Sequence, residues 1–396
     1  MATRRTMIAG GAGAAVLAAL GYRAWDRGVF SSGEGPAYEA WQDWQGHAGE
    51  GSKRPLRAAI LAASAHNSQP WLFEPQEDSI TVYADLSRNL GAADPFRREL
   101  YVSLGCALYN LTLSAAHLGF AAATAPVSGK LEPNPEERVV KIADVALNPE
   151  ESIRYGNPQS FFKAIGKRHT NRGTYLPDKT LPPWIPAGGF GDGVAIVTDA
   201  AARRDLGALI VQATERFIAD PPMSRDSSRW FRTGRREIER HRDGISTDTA
   251  GLSPAMGAVA KLLPDQDAAR ADKYWLASTR DVQVATAPAY GIMFCDDRLQ
   301  SAAALRAGER WQELHLMLTM VGLAAQPMNQ PIEIMDRDLL LGRRNEYAKA
   351  LRKIAGIPDA AGADIAFLFR LGYAEREAQP SPRRRLEDVI RKTGFA

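Results

Sequence analysis

Two apolar segments of this chain share the same internal spacing of glycine and leucine. The first set is Gly105, Leu111, Leu113 and Gly119, and the second is Gly308, Leu314, Leu316 and Gly322. Each segment follows an apolar stretch with strand character and has the periodicity of a helix, so we predict long helices over about 97–120 and 298–323. Two such units in one chain can take the place of the two subunits of a two-fold dimer.

The remaining periodic segments complete two halves of mixed α and β character. We predict strands at 80–83, 139–142, 194–198, 289–295 and 365–369, and helices at 55–63, 203–218 and 338–355. A polar, proline-containing stretch at 148–157 marks the boundary. The sequence therefore predicts an α+β fold, with a first half over 36–150 and a second, longer half over 155–396.

Composition narrows the class of protein. With 396 residues, of which 45% are apolar and 24% charged, the chain is long enough to bury a full core. Its net charge is only +3 and its arginines are scattered or lie beside acids, which argues against a nucleic-acid partner. Cys106 and Cys295 lie in apolar segments without metal-ligand spacing, so neither a disulfide framework nor a metal site is predicted.

The N-terminus carries a targeting signal. Arg4 and Arg5 precede a weakly apolar run from Ile8 to Leu20, a pattern that resembles a twin-arginine export signal. It predicts the twin-arginine export machinery as a partner and a periplasmic or extracytoplasmic location. No clear Ala-x-Ala cleavage site follows, so residues 1–30 are either a removed signal or a retained N-terminal anchor.

The stretch Ser64–Phe73 combines small side chains, amides and a proline-fixed turn. This composition allows backbone groups and the amides of Asn67 and Gln69 to approach the edge of a flat heteroaromatic ring. An ordinary turn that is anchored in the core by Trp71 is the alternative.

Two clusters of basic residues suit a phosphate group. Arg168-His169-Thr170-Asn171-Arg172 is the first, and Arg383-Arg384-Arg385 near the C-terminus is the second. Guanidinium groups bind phosphate oxygens in a bidentate manner, although a solvated basic tail is the alternative for the second cluster. The sequence contains no GxSxG, Walker or HExxH motif, so we assign no catalytic residue.

Four segments together resemble the nitroreductase family. They are the Asn67-Ser68-Gln69-Pro70-Trp71 loop, the Arg168–Arg172 motif, the segment Gly322–Asn329 and the basic tail Pro382–Val389, which cover nearly all of the chain past Pro55. The arginine motif follows the loop and lies in the other half. That order resembles the fused Acg-like branch, in which one complete flavin site is assembled from two unequal halves.

The resemblance implies a nitroreductase-like fold of two joined mixed or antiparallel sheets, a monomer or an intramolecular pseudo-dimer, and one FMN per chain. It implies that NADH or NADPH donates electrons through the flavin to a nitro compound, a quinone or a similar acceptor. Storage of FMN without turnover is the alternative, and a scaffold that has lost flavin is a weaker one. The expected FMN-binding residues are Ser64, Ala65, Asn67, Gln69, Arg168, His169, Thr170, Arg172, Gln326, Pro327, Met328, Asn329, Arg383, Arg384 and Arg385.

Different parts of the cofactor are expected to meet different residues of this set. The arginines would hold the phosphate, Ser64, Asn67 and Gln69 would hold the ring, and the backbone of 327–329 would contact the other side of the ring. His169 would bind without transferring a proton.

An arginine-rich stretch at 222–250 interrupts the second half. Seven arginines lie between Ser224 and Ile245, among only four acids. We interpret this stretch as a helix with a partly ion-paired outer face or, alternatively, as a lid that limits access to the flavin.

Overall fold

The computed structural model describes residues 18, 19, 21–46, 49–149, 158–186, 190, 191, 193–264, 267–358 and 363–391. The twin-arginine motif at Arg4 and Arg5 lies outside these residues. Within the described ranges, no helix has the length and apolar character needed to cross a membrane.

The first unit is a four-stranded antiparallel sheet in the order β1-β2-β4-β3. Alternate residues of β2, including Ile80 and Val82, point into the core, as expected for a sheet with one buried face. The helices of this unit are α1 (Arg54–Ala59), α2 (Arg98–His117) and α3 (Pro158–Ile165). Its strands are β1 (Trp71–Pro75), β2 (Ser79–Asp85), β3 (Ala121–Pro126) and β4 (Val139–Asn148).

The second unit repeats this plan with a four-stranded antiparallel sheet in the order β5-β8-β10-β9. Its strands are β5 (Val194–Val197), β8 (Ala289–Cys295), β9 (Ala324–Pro327) and β10 (Asp364–Gly372). Its helices are α4 (Ala200–Ile218), α7 (Pro254–Leu262), α8 (Ala268–Ser278), α9 (Ser301–Met320), α10 (Gln330–Leu340) and α11 (Tyr347–Ile354). The predicted α+β class and the arrangement in two joined sheets are confirmed.

The paired helices α2 and α9 form the centre of the molecule. Gly105 and Gly308 face each other at their crossing, where a Cβ on either residue would collide with a backbone carbonyl of the opposite helix. Gln312 Nε2 donates to Asn110 Oδ1 across the same contact at 2.9 Å. The repeated first glycine is therefore required by the close approach of two backbones.

The repeated second glycine ends each central helix. Gly119 and Gly322 have φ values of 88° and 74°, in the left-handed region that glycine adopts without strain. The next amide closes the same hydrogen bond in both units, from Phe120 N to Ala115 O at 3.0 Å and from Leu323 N to Leu318 O at 2.9 Å. A strand begins directly afterwards in each unit, so the spacing found in the sequence reflects a true duplication of structure.

The predicted helix over 338–355 is wrong in its extent. The structure has α10 over Gln330–Leu340 and a separate α11 over Tyr347–Ile354. Asn345 separates them by accepting from Tyr347 N and donating to Asp338 Oδ2, so its side chain replaces continuous helical hydrogen bonds.

The C-terminal tail crosses back from the second unit to the first. Beyond β10, Arg383 N donates to Ala37 O at 2.8 Å, and Arg391 N donates to Phe73 O at 2.7 Å at the edge of β1. A short helix, α12 (Leu386–Val389), lies between these two points. The tail therefore belongs in space to the first unit, although its sequence follows the second.

The arginine-rich stretch is not one helix. It folds as α5 (Pro221–Ser228), β6 (Phe231–Arg232), α6 (Arg235–His241) and β7 (Ile245–Ser246), with β6 parallel to β7. Arg232 pairs with Asp243 at 2.6 Å, and Arg88 of the first unit pairs with the other oxygen of Asp243. Arg88 Nε also donates to Ser68 O at 2.5 Å, so Arg88 connects the stretch to the loop that contains Asn67.

Candidate active site

A cavity lies where both units, the tail and the arginine-rich stretch meet, and its empty space, counted together with its opening to solvent, is about 400 Å³. None of the described residues that line it is acidic. They are Ala63, Ser64, Asn67, Arg168, His169, Thr170, Arg172, Gly244, Ile245, Thr249, Gln379, Ser381 and Arg383. Seven of the residues predicted for FMN binding thus converge on one cavity, although they come from three distant parts of the chain.

The loop 64–70 holds a strained backbone at the cavity. His66, Asn67 and Gln69 all have positive φ values, of 48°, 54° and 52°. Such conformations cost on the order of 1–3 kcal/mol each for residues other than glycine, and they persist only where surrounding contacts fix them. The Ser64 side chain accepts from Gln69 N at 3.1 Å, and Ala65 N donates to Ser103 Oγ at 2.9 Å.

Three guanidinium groups reach the cavity without a carboxylate partner among the described residues. Arg168 and Arg383 are each 2% exposed, and the Nε of each has no hydrogen-bond partner in the part of the chain that the structure describes. Both donate to Leu61 O, at 3.1 and 3.3 Å, and Arg172 Nη1 donates to Thr249 O at 3.0 Å. Because a carbonyl oxygen carries no net charge, these hydrogen bonds do not neutralise the positive charges of the three guanidinium groups.

Arg98 shows what a buried structural arginine looks like in this protein. It is 1% exposed and contacts Glu99 Oε1 and Asp336 Oδ2, each at 2.7 Å. Burial lowers its pKa, but the carboxylates around it outweigh burial and raise the pKa overall. The cavity arginines have no such acids, so their charge is available to a ligand.

The surroundings of the cavity disfavour positive charge in the absence of an anion. Burial lowers the pKa of Arg168 and of Arg172 to about 10 each, and burial together with Arg168 lowers the pKa of Arg383. Burial and the neighbouring arginines lower the pKa of His169 to about 3. His169 is therefore neutral near pH 7.

The amides of Asn67 and Gln69 do not point at an open ring site in this structure. Asn67 Nδ2 donates to Gly244 O and Pro382 O, and its Oδ1 accepts from Arg383 Nη1 at 2.6 Å. Gln69 Nε2 donates to Arg242 O at 2.8 Å. The two side chains join the loop to the arginine-rich stretch and to the tail, which differs from the ring contact that we expected.

The tail arginines separate into three environments. Arg383 enters the cavity, whereas Arg384 N and Nη1 donate to Gln69 Oε1 and O at 2.8 and 3.0 Å. Arg385 pairs with Asp388 at 2.8 Å and lines a separate surface groove. Of the three predicted phosphate ligands, the structure places only Arg383 at the cavity.

The segment 326–329 does not line the cavity. Pro327 pairs with Phe369 inside the second sheet, Met328 is fully buried in an apolar cluster, and Asn329 donates to Glu99 Oε1 at 2.9 Å. Gln326 Oε1 accepts from Arg370 Nε at 2.7 Å. The segment therefore lies outside the cavity lining, and its contact with a ring stays a prediction.

Arg370 connects that segment to the arginine motif. It is fully buried on β10, stacks on the Tyr175 ring at 3.9 Å, and donates from Nη2 to Gly173 O at 2.7 Å. Ala325 O also accepts from Asn171 N at 3.2 Å. The segment and Arg370 thus support the loop that carries Arg172 from behind.

The sequence analysis did not identify Trp41, nor the residues of the arginine-rich stretch that line the cavity, which are Gly244, Ile245 and Thr249. The Trp41 ring lies 4.8 Å from the Arg383 guanidinium and 4.5 Å from the His169 ring. Its position early in the chain carries no motif that would have identified it. The Asp243-Gly244 turn is recognisable in the sequence and could have pointed to this part of the site. In the structure, Gly244 N donates to Asn67 O at 3.2 Å, and Gly244 O accepts from Asn67 Nδ2 at 3.1 Å.

The fold and the cavity define a two-unit α+β protein whose buried arginines suit an anion. In sequence, the chain is a distant relative of proteins from Mycobacterium tuberculosis. "Putative NAD(P)H nitroreductase Rv3131" of strain H37Rv is 26% identical over 352 residues, which are 85% of this chain and 89% of the relative. "Uncharacterized protein Rv3127" is 26% identical over 366 residues, covering 85% of this chain and 92% of the relative.

Solved structures of nitroreductases also match the chain. The FMN-dependent nitroreductase NfnB from Mycobacterium smegmatis, in complex with NADPH, is 19% identical and covers 60% of this chain and 99% of its own, with a TM-score of 0.36. A protein described as a "putative nitroreductase" from Anabaena variabilis is 12% identical, and the match covers 85% of this chain and 91% of that protein, with a TM-score of 0.42. No family model matches the chain.

Proposed function

We propose that this protein is an FMN-binding oxidoreductase that takes electrons from NADH or NADPH. The observation that carries the proposal is the set of guanidinium groups around one cavity that have no carboxylate partner among the described residues: buried Arg168 and Arg383 and half-buried Arg172. The printed names of the relatives, which include NAD(P)H nitroreductase, support the same class of reaction.

The residues fit the phosphate end of FMN. Its nearly two negative charges match arginines that lack carboxylate partners among the described residues, and the unpartnered Nε groups of Arg168 and Arg383 supply donors. Thr170 and Ser64 add hydroxyl groups to the lining. When bound, the flavin would supply the redox chemistry, while the protein would bind it, orient it and limit its access to water.

The arginine-rich stretch would control entry of the cofactor. It contributes Gly244, Ile245 and Thr249 to the cavity wall and is held by both Asn67 and Arg172. The volume enclosed by the cavity is only about 40 Å³, far below that of a typical ligand pocket. We therefore infer that a whole flavin enters by displacing residues 222–250, as expected of a lid.

The visible spectrum of the purified protein tests the proposal. We expect a bound-flavin absorption band that bleaches when NADH or NADPH is added without oxygen and returns when a quinone or nitro compound is added. A band that survives both nicotinamides would instead support the alternative function, storage of FMN without turnover. A protein that is colourless and does not take up added FMN would contradict both functions.

A further inference from the structure

Helix α7 exposes its apolar side chains to water and buries its lysine. Its sequence is Pro-Ala-Met-Gly-Ala-Val-Ala-Lys-Leu, yet its only buried residue is Lys261. Met256 and Val259 are 60% and 58% exposed, and Leu263 just beyond the helix is 45% exposed. A surface helix of a soluble protein normally buries its apolar side chains and exposes its lysine.

The buried lysine fixes this orientation. Lys261 Nζ lies 2.7 Å from Asp248 Oδ1 and donates to Gly28 O at 2.7 Å and to Ser32 Oγ at 3.1 Å. Because these partners lie on the inner side of α7, the apolar side chains are directed outward. The exposure is therefore built into the fold.

A second exposed apolar element adjoins α7. Residues 21–26 are helical, and Arg23 donates to Leu262 O at 2.8 Å and to Leu263 O at 2.6 Å at the end of α7. This element and the turn after it expose Tyr22, Trp25 and Phe30 by 58%, 55% and 84%. We call the exposed side chains the apolar face; they are Tyr22, Trp25, Phe30, Met256, Val259 and Leu263.

Basic residues of α6 border the apolar face. Arg236 is exposed, donates to Tyr22 Oη at 3.3 Å and lies 3.4 Å from Asp26. The Arg235 guanidinium lies 5.8 Å from the Trp25 ring, and Arg240 is exposed one turn further along. Aromatic and aliphatic side chains beside arginines match the boundary between acyl chains and anionic headgroups.

We propose that the apolar face docks on the surface of an anionic lipid bilayer. In the sequence, the apolar run Ile8–Leu20 directly precedes Gly21, the first residue of this element. A second copy of the chain is a poorer occupant, because a two-fold contact would bring the arginine borders of both copies together. The proposal does not depend on the binding of flavin.

Flotation of the full chain with vesicles tests this proposal. We expect binding to vesicles of phosphatidylcholine with phosphatidylglycerol, and a loss of about tenfold or more in Met256→Glu/Val259→Glu. Leu339→Glu/Leu341→Glu is the matched control, because these leucines are 51% and 40% exposed on a different element. This control should bind vesicles as the wild type does, and circular dichroism should show that both variants are folded.

The headgroup preference is tested separately. Arg236→Gln/Arg240→Gln should bind phosphatidylcholine vesicles as the wild type does. Adding phosphatidylglycerol should increase vesicle binding of the wild type but not of this variant. Unchanged flotation of Met256→Glu/Val259→Glu would overturn the proposal. So would a dimer, seen by light scattering without lipid, that this variant abolishes, because the face would then be a contact between copies.

Discussion

At the scale of single residues, the uncompensated arginines link stability to ligand binding. Because burial lowers the pKa of Arg168 to about 10, below its usual value, keeping it protonated in the fold costs free energy at every pH below about 10. We expect Arg168→Met to raise the melting temperature of the ligand-free protein and to abolish retention of FMN. Thermal unfolding and flavin absorbance of the purified variant measure the two effects.

Arg385→Met is the control for this prediction. Arg385 is exposed and pairs with Asp388, so its replacement should leave both the stability and the flavin content nearly unchanged. Arg383→Met should behave like Arg168→Met, because its guanidinium reaches the same cavity. A variant at Arg168 or Arg383 that retains flavin would refute the phosphate assignment.

His169 gives a second prediction, on the pH dependence of stability. Its folded-state pKa of about 3 lies below the usual 6.5. At pH values between these two, the histidine is protonated in the unfolded chain but not in the folded protein. Stability is therefore lost as the pH falls below about 6.5. We expect the free energy of unfolding of the wild type to fall by on the order of 2 kcal/mol between pH 7.5 and pH 5 because of this histidine. His169→Gln should not show this decrease.

Denaturant unfolding at the two pH values measures this difference. His241→Gln is the control, because His241 is exposed at the end of α6. Equal acid sensitivity of the wild type and His169→Gln would show that His169 is not held neutral in the fold.

At the scale of structural elements, Gly251 sets the distance between the arginine-rich stretch and the arginine motif. Its φ is 82°, and a Cβ there would collide with the backbone carbonyl of Arg172. We expect Gly251→Ala to move these elements apart and to weaken FMN binding by tenfold or more. A tenfold weaker affinity corresponds to a loss of about 1.4 kcal/mol of binding free energy. Titration of the flavin-free protein with FMN measures the change.

Gly257→Ala is the matched substitution on α7. A Cβ at Gly257 meets no atom within 4 Å, and alanine favours a helix over glycine by up to about 1 kcal/mol. This variant should bind FMN as the wild type does and be at least as stable. Equal FMN affinity in the two variants would contradict the role of Gly251.

At the scale of the whole molecule, the fused arrangement predicts one FMN per chain. The loop with Asn67, the motif with Arg168 and the tail with Arg383 come from different parts of the sequence and meet at one cavity. A second phosphate would need another set of acid-free cations to bind well. Heat release of the flavin, compared with protein concentration, should give a ratio near one, and a ratio near two would refute the fused-site account.

Export of the whole chain is a separate prediction. If Arg4 and Arg5 form a twin-arginine signal, replacing both with lysine should keep the protein in the cytoplasm, because recognition depends on the guanidinium pair. Cell fractionation measures the distribution. Undiminished accumulation outside the cytoplasm would show that this pair is not the signal.

The strongly periodic elements of the fold and the four-residue β5 could be predicted from the sequence, but β1, β3 and β9 were not predicted. β8 was predicted over its full observed range, and both central helices were predicted to within a few residues. β3 and β9 were missed, because Ala-Ala-Ala-Thr-Ala-Pro and Ala-Ala-Gln-Pro have little strand propensity. They form because each central helix ends beside a strand with one open edge, β4 in the first unit and β10 in the second.

The sequence by itself determined the duplication, the α+β class and the residue types able to hold a phosphate, because periodicity, glycine spacing and guanidinium chemistry are local properties. Tertiary structure alone decided which of these residues meet. It directed Arg383 into the cavity, turned Arg384 towards Gln69, left Arg385 in solvent and placed Met328 in the core. Neighbours in sequence took different roles because burial and hydrogen-bond partners depend on how distant segments pack.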